Sequence, residues 1–270
     1  MIDNSATDGE RLCNYINHRL LGSSPWEALG LALEPTGRSR DLIDFYRQIA
    51  AVTLTGRIVS AGKSLAEKLG IDDPALKREF TSLLRDYVGI PSKSLDEVFR
   101  FSHRAVLGSL EPLRGAIQKQ MAAWALRTHP HCYMCGVSLN FQDREQLDSY
   151  TCEHVWPHAY GGNSIPENLL PACGSCNSKK KANFATWAMP AIQSLILGLL
   201  PAENRLQEIP GSFKFSIHYR VAQRLAIRKR MTLKDAFLQL GPWEDVRIRD
   251  QDDIVDIFNI ENHAADRAAV

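Results

Sequence analysis

Two pairs of closely spaced cysteines carry the most specific chemical signal in this chain of 270 residues. Two residues separate the members of each pair, a spacing at which a tight turn brings two thiolates to one metal ion. Zinc prefers four such soft ligands in a tetrahedron. A glycine follows one cysteine of each pair, where a turn favours it. The spacing predicts a structural Zn2+ site made by Cys132, Cys135, Cys173 and Cys176.

Oxygen and nitrogen donors lie between and beside these cysteines. Glu153 and His154 are adjacent, Asn168 follows, and Asn177 comes directly after the last cysteine. Histidine titrates near neutral pH, so a neutral His154 can accept a proton from water. The hard oxygens of Glu153 and Asn177 suit Mg2+ or Mn2+ better than zinc. Taken singly, His154 would be a hydrogen-bonded strand residue and Asn168 a turn residue; together they predict a hydrolytic centre.

In order and spacing, these residues resemble the HNH endonucleases. The matching stretch reads Glu-His-Val-x-Pro, Gly-Gly, Asn-Leu-x-Pro-x-Cys and Cys-Asn-x-x-Lys, within residues 130–185. The resemblance implies a ββα-metal unit that hydrolyses phosphodiester bonds with a divalent metal, and a zinc frame of two cysteine pairs is common in this family. It implies DNA as the substrate, although no residue excludes RNA.

The resemblance also implies a role for each residue of the site. His154 is the general base, and Glu153 and Asn177 are ligands of the catalytic Mg2+ or Mn2+. Asn168 supports them by holding the loop and orienting the histidine. Glu153 stands where aspartate is more usual, and Asn177 replaces the last histidine, so the chain is an HNN variant. These differences bear on metal preference rather than on the reaction.

Further basic and histidine residues could contact a phosphate backbone. Runs of lysine and arginine on one helix face give affinity without reading sequence; the alternatives are a solvated face for the lysines and pairing with the acidic C-terminal residues for the arginines. His158 in the active-site loop either contacts phosphate or is exposed, and His129 and His131 support the first cysteine pair or are exposed. The candidate contacts are Lys179, Lys180, Lys181, Arg220, Arg224 and Arg228.

The remaining sequence sets the context of this site. A composition of 44% hydrophobic and 23% charged residues is that of a globular protein, and a net charge of +1 gives no global reason to expect nucleic-acid binding. The N-terminal residues are polar and acidic, and the most apolar run, Pro190 to Leu200, is too short to span a bilayer. We therefore expect a cytoplasmic protein without membrane contact. Four of the six cysteines occur in pairs, which favours metal over disulfides, and Cys13 and Cys152 are expected to be buried thiols.

Helical patterns occupy most of the chain outside the motif. Apolar residues recur at spacings of three and four between residues 42 and 54. Asp73-Pro74 predicts the start of a helix that runs to about residue 88, and a further helix is expected over about 112–126. Ser94 with Glu97 predicts a capping box, and Thr232 with Asp235 predicts another helix start.

This pattern predicts a mainly α protein with a small α+β insert, in which a ββα-metal HNH unit with a four-cysteine zinc site is flanked by helical regions. We expect strands at 150–156 and 168–172 and a helix over 174–187. The predicted domains are a helical region at 1–128 for partner or DNA docking, a zinc-framed nuclease domain at 129–187, and a helical region at 188–270 with a basic stripe and an acidic tail.

Two classes of function fit these observations. One is a metal-dependent endonuclease acting on DNA, for which the family offers the effector of a restriction or anti-phage defence system as a context. Its helical flanks would then dock a regulatory protein partner or a second copy of the chain. The alternative is a non-catalytic zinc module that binds nucleic acid or protein. A pure zinc scaffold has no need of Glu153, His154 and Asn177, which favours the enzyme.

Overall fold

A computed structural model describes residues 4–21, 39–143, 145–183, 218–219, 222–223 and 225–242. Helices predominate among these residues, and they are accompanied by one two-stranded antiparallel sheet. The mainly α fold class with a small α+β insert is confirmed. The chain divides into two compact units. The helical unit contains Ser5–Leu113 and Trp156–Asn168, and the sheet unit contains Arg114–Val155 and the described residues from Leu169 onwards.

Four α-helices are found among the described residues of the helical unit. They are α1 (Asp8–Tyr15), continued by a π-helical turn at Ile16–Leu20, α2 (Ser39–Leu69), α3 (Pro74–Asp86) and α4 (Leu95–Leu110). Helix α4 packs against α1, α2 and α3. Apolar side chains between the helices are almost completely removed from solvent, which is the main favourable contribution to folding. This core includes Leu12, Ile58, Phe80, Leu84, Val98 and Val106.

The sequence predicted N-terminal caps for two helices of this unit, and only one of them is present. The Asp73 side chain accepts a hydrogen bond from Ala75 N at 2.7 Å and Pro74 is the first helical residue, as predicted, although the helix ends at Asp86. The predicted capping box at Ser94 is wrong. Ser94 closes a 3-10 turn and makes no capping hydrogen bond, because the Glu97 carboxylate instead accepts from the Tyr15 hydroxyl at 2.8 Å.

The sheet unit contains α5 (Gly115–Thr128), β1 (Tyr150–His154), β2 (Leu169–Cys173), α6 (Gly174–Asn183) and α7 (Leu233–Leu240). The strands pair antiparallel, with Cys152 opposite Pro171 and His154 opposite Leu169. All five residues of β2 are buried. The predicted order of strand, loop, strand and helix is confirmed, with β1 ending two residues early. Helix α5 starts at residue 115 instead of 112, and α6 is described only to residue 183.

Helix α7 begins where the sequence predicted. The Thr232 hydroxyl oxygen accepts a hydrogen bond from Asp235 N at 3.1 Å. Helix α5 packs on both strands, and α6 contacts them as well. Among the described helices, none is long and apolar enough to cross a membrane. The predicted apolar helix at 190–200 and the acidic C-terminal residues lie outside the described residues.

The buried face of α3 gives a test of the helical core. Replacing Leu84, which is fully buried, with alanine should lower the free energy of unfolding by about 2–5 kcal/mol, because apolar contacts are lost and a cavity remains. Tyr87→Ala is the control, since this side chain is 89% exposed and its loss should change stability by about 0.5 kcal/mol or less. Urea unfolding followed by far-ultraviolet circular dichroism measures both. Equal losses would contradict the assigned core.

Candidate metal centre and active site

The four predicted zinc ligands come together in the sheet unit. The sulfur atoms of Cys132, Cys135, Cys173 and Cys176 all lie within 4.8 Å of one another, and the Sγ atoms of Cys135 and Cys173 are 3.8 Å apart. In a tetrahedron with Zn–S bonds of about 2.3 Å, the sulfurs stand about 3.8 Å apart. The spacing of the thiols therefore fits one zinc ion.

Backbone hydrogen bonds shape the two cysteine turns. In the first, Gly136 N donates to Cys132 O at 2.8 Å, and Gly136 takes a left-handed φ of 74° that glycine adopts without strain. In the second, Cys176 N donates to the Cys173 sulfur at 3.4 Å as α6 begins. Tyr133 N donates to Pro171 O at 3.0 Å, which ties the first turn to β2. The ligand positions are thus fixed by the fold around them.

The protonation of these thiols also fits a cation. Hydrogen bonding with Cys132 lowers the pKa of Cys135 to about 7 and lowers the pKa of Cys173 as well. The same set of contacts raises the pKa values of Cys132 and Cys176. Four sulfurs this close cannot all become thiolates without a positive charge among them. A divalent ion supplies that charge, so the donor set fits zinc.

Of the two remaining cysteines, Cys13 is buried as predicted, whereas Cys152 is only half-buried. Cys13 lies in the core of the helical unit, and burial raises its pKa to about 12. Cys152 is half-buried on β1, and burial raises its pKa to about 11. Both stay protonated at neutral pH and neither belongs to the four-sulfur cluster.

Glu153 is a buried carboxylate beside this cluster. It lies on β1 and is only 5% exposed. Burial raises the pKa of Tyr133, and the negative charges of Glu153, Cys132 and Cys176 raise it further. Glu153 is therefore close to the first cysteine turn. Burial of the Glu153 carboxylate disfavours its charged form, and a bound cation would reduce that free-energy penalty.

Asn177 contributes a second buried oxygen from α6. The residue is 9% exposed, and among the described residues its side-chain oxygen Oδ1 has no hydrogen-bond partner. A buried carbonyl without a donor costs about 1–3 kcal/mol. Coordination to a hard cation satisfies such an oxygen. The donor chemistry of Asn177 and Glu153 thus fits the Mg2+ or Mn2+ implied by the sequence resemblance.

His154 is the last residue of β1 and is half-buried. Its strand position is fixed by antiparallel pairing with Leu169, the first residue of β2. The strand ends there, and the chain turns at residues 155 and 156. The predicted general base therefore lies at the end of the sheet where the connecting loop begins.

Asn168 holds the loop that connects the strands. Its Oδ1 accepts from Trp156 N at 2.7 Å, and its Nδ2 donates to Trp156 O and to Asn163 O, both at 3.0 Å. Asn168 is 2% exposed, so these bonds are shielded from water. The side chain closes the loop across twelve residues. This geometry agrees with the support role that the resemblance implies for Asn168.

The nearby histidines have structural partners. His158 is half-buried, and its Nε2 donates to Glu111 O at 2.8 Å. His129 lies against Trp124, with ring centres 4.8 Å apart, and burial together with the positive charge of Lys234 lowers its pKa. His131 is exposed, and its Nδ1 is 3.3 Å from the Ser138 hydroxyl.

The predicted phosphate contacts are only partly described. Arg228 is exposed in a helical stretch at 225–229, whereas Arg220 and Arg224 lie outside the described residues. The backbone of the three lysines is part of α6, but their side chains lie outside what the structure describes; they are Lys179, Lys180 and Lys181.

The sequence did not indicate which residues of the helical unit fix the connecting loop. Asn163 bonds to Asp8, and glycines on three helices contact residues 160–163. The pair Gly161-Gly162 did indicate a close backbone approach in this loop. Nothing in the sequence indicated that the partners lie about fifty to one hundred and fifty residues earlier in the chain.

The zinc assignment can be tested on the isolated protein. Cys176→Ser should remove the bound zinc and lower the melting temperature sharply, because the metal adds its binding free energy to the stability of the native state. Elemental analysis gives zinc per chain, and thermal unfolding gives stability. Cys152→Ala is the matched control and should keep one zinc. A full complement of zinc in Cys176→Ser would refute the site.

Comparison with known proteins locates the same segment. The family model described as HNH endonuclease matches residues 132–188, a range that holds all four zinc ligands, Glu153, His154, Asn168 and Asn177. No curated protein and no solved structure matches the chain. The family match supports a nuclease-type function and implies a nucleic-acid substrate. The predicted resemblance is confirmed: residues 132–188 match the HNH endonuclease model and hold a four-cysteine cluster fit for zinc.

Proposed function

We propose that the protein is a divalent-metal-dependent endonuclease that hydrolyses the phosphodiester bonds of DNA. The family match supports the reaction class. The observation that carries the proposal is the buried Asn177 oxygen, which has no hydrogen-bond partner in the part of the chain that the structure describes. It lies one residue after a predicted zinc ligand and in the same unit as buried Glu153. A zinc frame gains nothing from a costly buried oxygen, whereas a second, oxygen-ligated metal site requires one.

The residues of the site divide the reaction between them. His154 accepts a proton from the attacking water, whose oxygen bonds to phosphorus as the bond from phosphorus to the leaving sugar oxygen breaks. The leaving oxygen takes a proton from solvent. Glu153 and Asn177 would hold a divalent cation such as Mg2+ or Mn2+, which would supply Lewis-acid stabilisation of charge on the phosphate.

The four cysteines take no part in this chemistry. Their sulfurs saturate a tetrahedral ion and leave no open position for substrate or water. Bound to one ion, they would hold the end of β2 at Cys173 close to the start of α6 at Cys176. The zinc is therefore structural, and it places Asn177 by holding the turn of helix on which this residue lies.

Contacts with the DNA backbone come from basic side chains outside the catalytic motif. Arg228 is exposed, as are its neighbours Lys229 and Arg230. From their positions in the sequence, we propose that Arg220, Arg224, Lys179, Lys180 and Lys181 also contact the DNA backbone. Such contacts are sensitive to salt and read no bases. Sequence preference would then have to arise elsewhere in the chain.

The biological setting is proposed by analogy with the family. The chain would be the effector nuclease of a restriction or anti-phage defence system in the cytoplasm. Residues 1–128 and 188–270 would flank the nuclease domain at 129–187 and dock a regulatory protein or a second copy. Neighbouring genes test this setting, since an isolated locus without defence or mobile-element genes would count against it.

The catalytic proposal is tested by plasmid cleavage in the presence of Mg2+ or Mn2+. His154→Ala should lower the rate by about 10²–10⁴-fold, because the general base is lost. Zinc content and melting temperature should stay unchanged. His131→Ala is the matched control, since His131 is exposed beside the first cysteine turn and should retain full activity.

Two outcomes would contradict the catalytic proposal. Absence of metal-dependent cleavage by the wild-type protein, with DNA still bound, would favour the non-catalytic zinc module. Equal cleavage by the wild type and His154→Ala would place the activity elsewhere or in a contaminant. Parallel assays with RNA decide between the two nucleic acids.

The role of Asn177 is tested by metal-dependent stability. In the wild type, Mn2+ should raise the melting temperature, because the cation satisfies the buried Oδ1. This rise should be smaller in Asn177→Ala and retained in Asn177→Asp, which keeps an oxygen ligand. Ser178→Ala, at the exposed next position of α6, is the control and should behave like the wild type. An undiminished rise in Asn177→Ala would exclude it as a ligand.

A further inference from the structure

We propose that the N-terminal helices are a positioning element of the nuclease, and that Asn163 and Asp8 are a positioning pair for its reaction. This inference rests on the function proposed above. The helices would form a rigid seat for the loop Trp156–Asn168, which connects the strand that ends in His154 to the strand that follows. The loop belongs to the helical unit together with Ser5–Leu113.

Three glycines, one from each of three helices, line this seat. A Cβ atom added to Gly9 of α1 would overlap Tyr160 O and the indole nitrogen of Trp156, and one added to Gly56 of α2 would overlap the Tyr160 ring. One added to Gly108 of α4 would lie 3.0 Å from Gly161 O. Such close approach by three separate helices leaves the loop no space to shift.

The loop contributes its own glycine to this contact. Gly161 has a left-handed φ of 84°, and a Cβ there would lie 2.7 Å from the Cβ of Ala105 on α4. Both constraints exclude a larger residue. The first glycine of the motif's pair therefore packs the loop backbone against a helix, and the second packs it against the backbone of Trp156 within the loop.

Hydrogen bonds fix the loop along the seat. Gly9 N donates to Gly161 O at 2.9 Å. Asp8 N donates to Asn163 Oδ1 at 2.8 Å, and Asn163 Nδ2 donates to Asp8 Oδ2 at 3.3 Å. Glu111 O accepts from His158 Nε2 at 2.8 Å and from the Ser164 hydroxyl at 3.2 Å. Bonds to α1 and to the residue after α4 thus secure both halves of the loop.

A continuous path of bonds leads from α1 to a residue close in sequence to the general base. The Asn163 side chain bonds to Asp8, and its carbonyl accepts from Asn168 Nδ2 at 3.0 Å. Asn168 in turn forms hydrogen bonds with the backbone N–H and the backbone carbonyl of Trp156, which is two residues after His154. Asn163 therefore links helix α1 to Asn168. Its contribution to the reaction is therefore one of placement.

Placement of this kind has a large kinetic effect. A misplacement of about 1 Å can cost about 10²-fold in rate, because reacting groups must already be aligned. A loop fixed by helices of its own unit holds the backbone at Trp156, two residues after His154, without drawing on the binding energy of the substrate. The N-terminal helices then determine the activity of the nuclease and do more than serve as a docking module.

A charge-swap experiment on the full chain tests the positioning pair. Asn163→Asp sets a carboxylate against that of Asp8, so it should lower kcat for DNA cleavage by about tenfold or more, with KM and zinc content little changed. The double variant Asp8→Asn with Asn163→Asp restores the side-chain hydrogen bond with donor and acceptor exchanged, and the residue 163 side chain still accepts from the backbone N of residue 8. It should recover most of kcat, which a merely destabilised loop would not.

Two controls separate placement from folding. Asp8 also pairs with Arg11 at 3.0 Å, and Arg11→Gln removes that pair without touching the loop, so it should cleave like the wild type. Asn163→Ala removes the side-chain bonds without adding charge. It should lower kcat less than Asn163→Asp, at an unchanged melting temperature.

Hydrogen exchange provides a readout independent of cleavage. Backbone amides of residues 156–168 should exchange faster in Asn163→Asp and regain protection in the double variant. Wild-type kcat in Asn163→Asp, or failure of the double variant to regain both kcat and protection, would overturn the positioning pair. If the wild type does not cleave, the proposed function fails, and loss and recovery of protection alone decide whether the pair positions the loop.

Discussion

Two five-residue strands cannot hold a catalytic geometry by themselves, and the arrangement of this protein depends on that constraint. A two-stranded sheet is marginal in water unless something else fixes it. Here a four-sulfur cluster fixes the sheet where β2 runs into α6. The loop that joins the strands is fixed separately, by glycines and hydrogen bonds of the helical unit. The cysteine cluster therefore adds contacts where β2 ends, and the helical unit adds contacts to the loop between the strands.

The cysteine cluster was readable from the sequence because it depends on the spacing of residues within two short turns. Glu153 and Asn177 were singled out by their order in the motif and are both buried, and their roles stay predictions. The strand and helix order followed as well, with boundaries shifted by one to three residues. Local signals also predicted the starts of α3 and α7, because their caps use residues within a single turn.

What the sequence could not predict involves partners far apart in the chain. Ser94 and Glu97 have the spacing of a capping box, yet Glu97 binds Tyr15 from another helix. The seat of the loop is a further case, because Gly9, Gly56 and Gly108 look like ordinary helix glycines until their neighbours are known. The sequence also could not predict that Asn177 Oδ1 is buried and has no hydrogen-bond partner among the described residues. Tertiary contacts decide these features, and no local pattern encodes them.

The interleaved path of the chain has a consequence for the order in which the protein is made. Domains tend to fold as their residues emerge during synthesis. The helices of Ser5–Leu113 are complete before the loop Trp156–Asn168 exists, so the loop meets a finished surface. Cys173, Cys176 and Asn177 come later still. A nascent chain therefore lacks two of the four clustered cysteines and Asn177 until the last part of the motif has left the ribosome, so the proposed site cannot form before then.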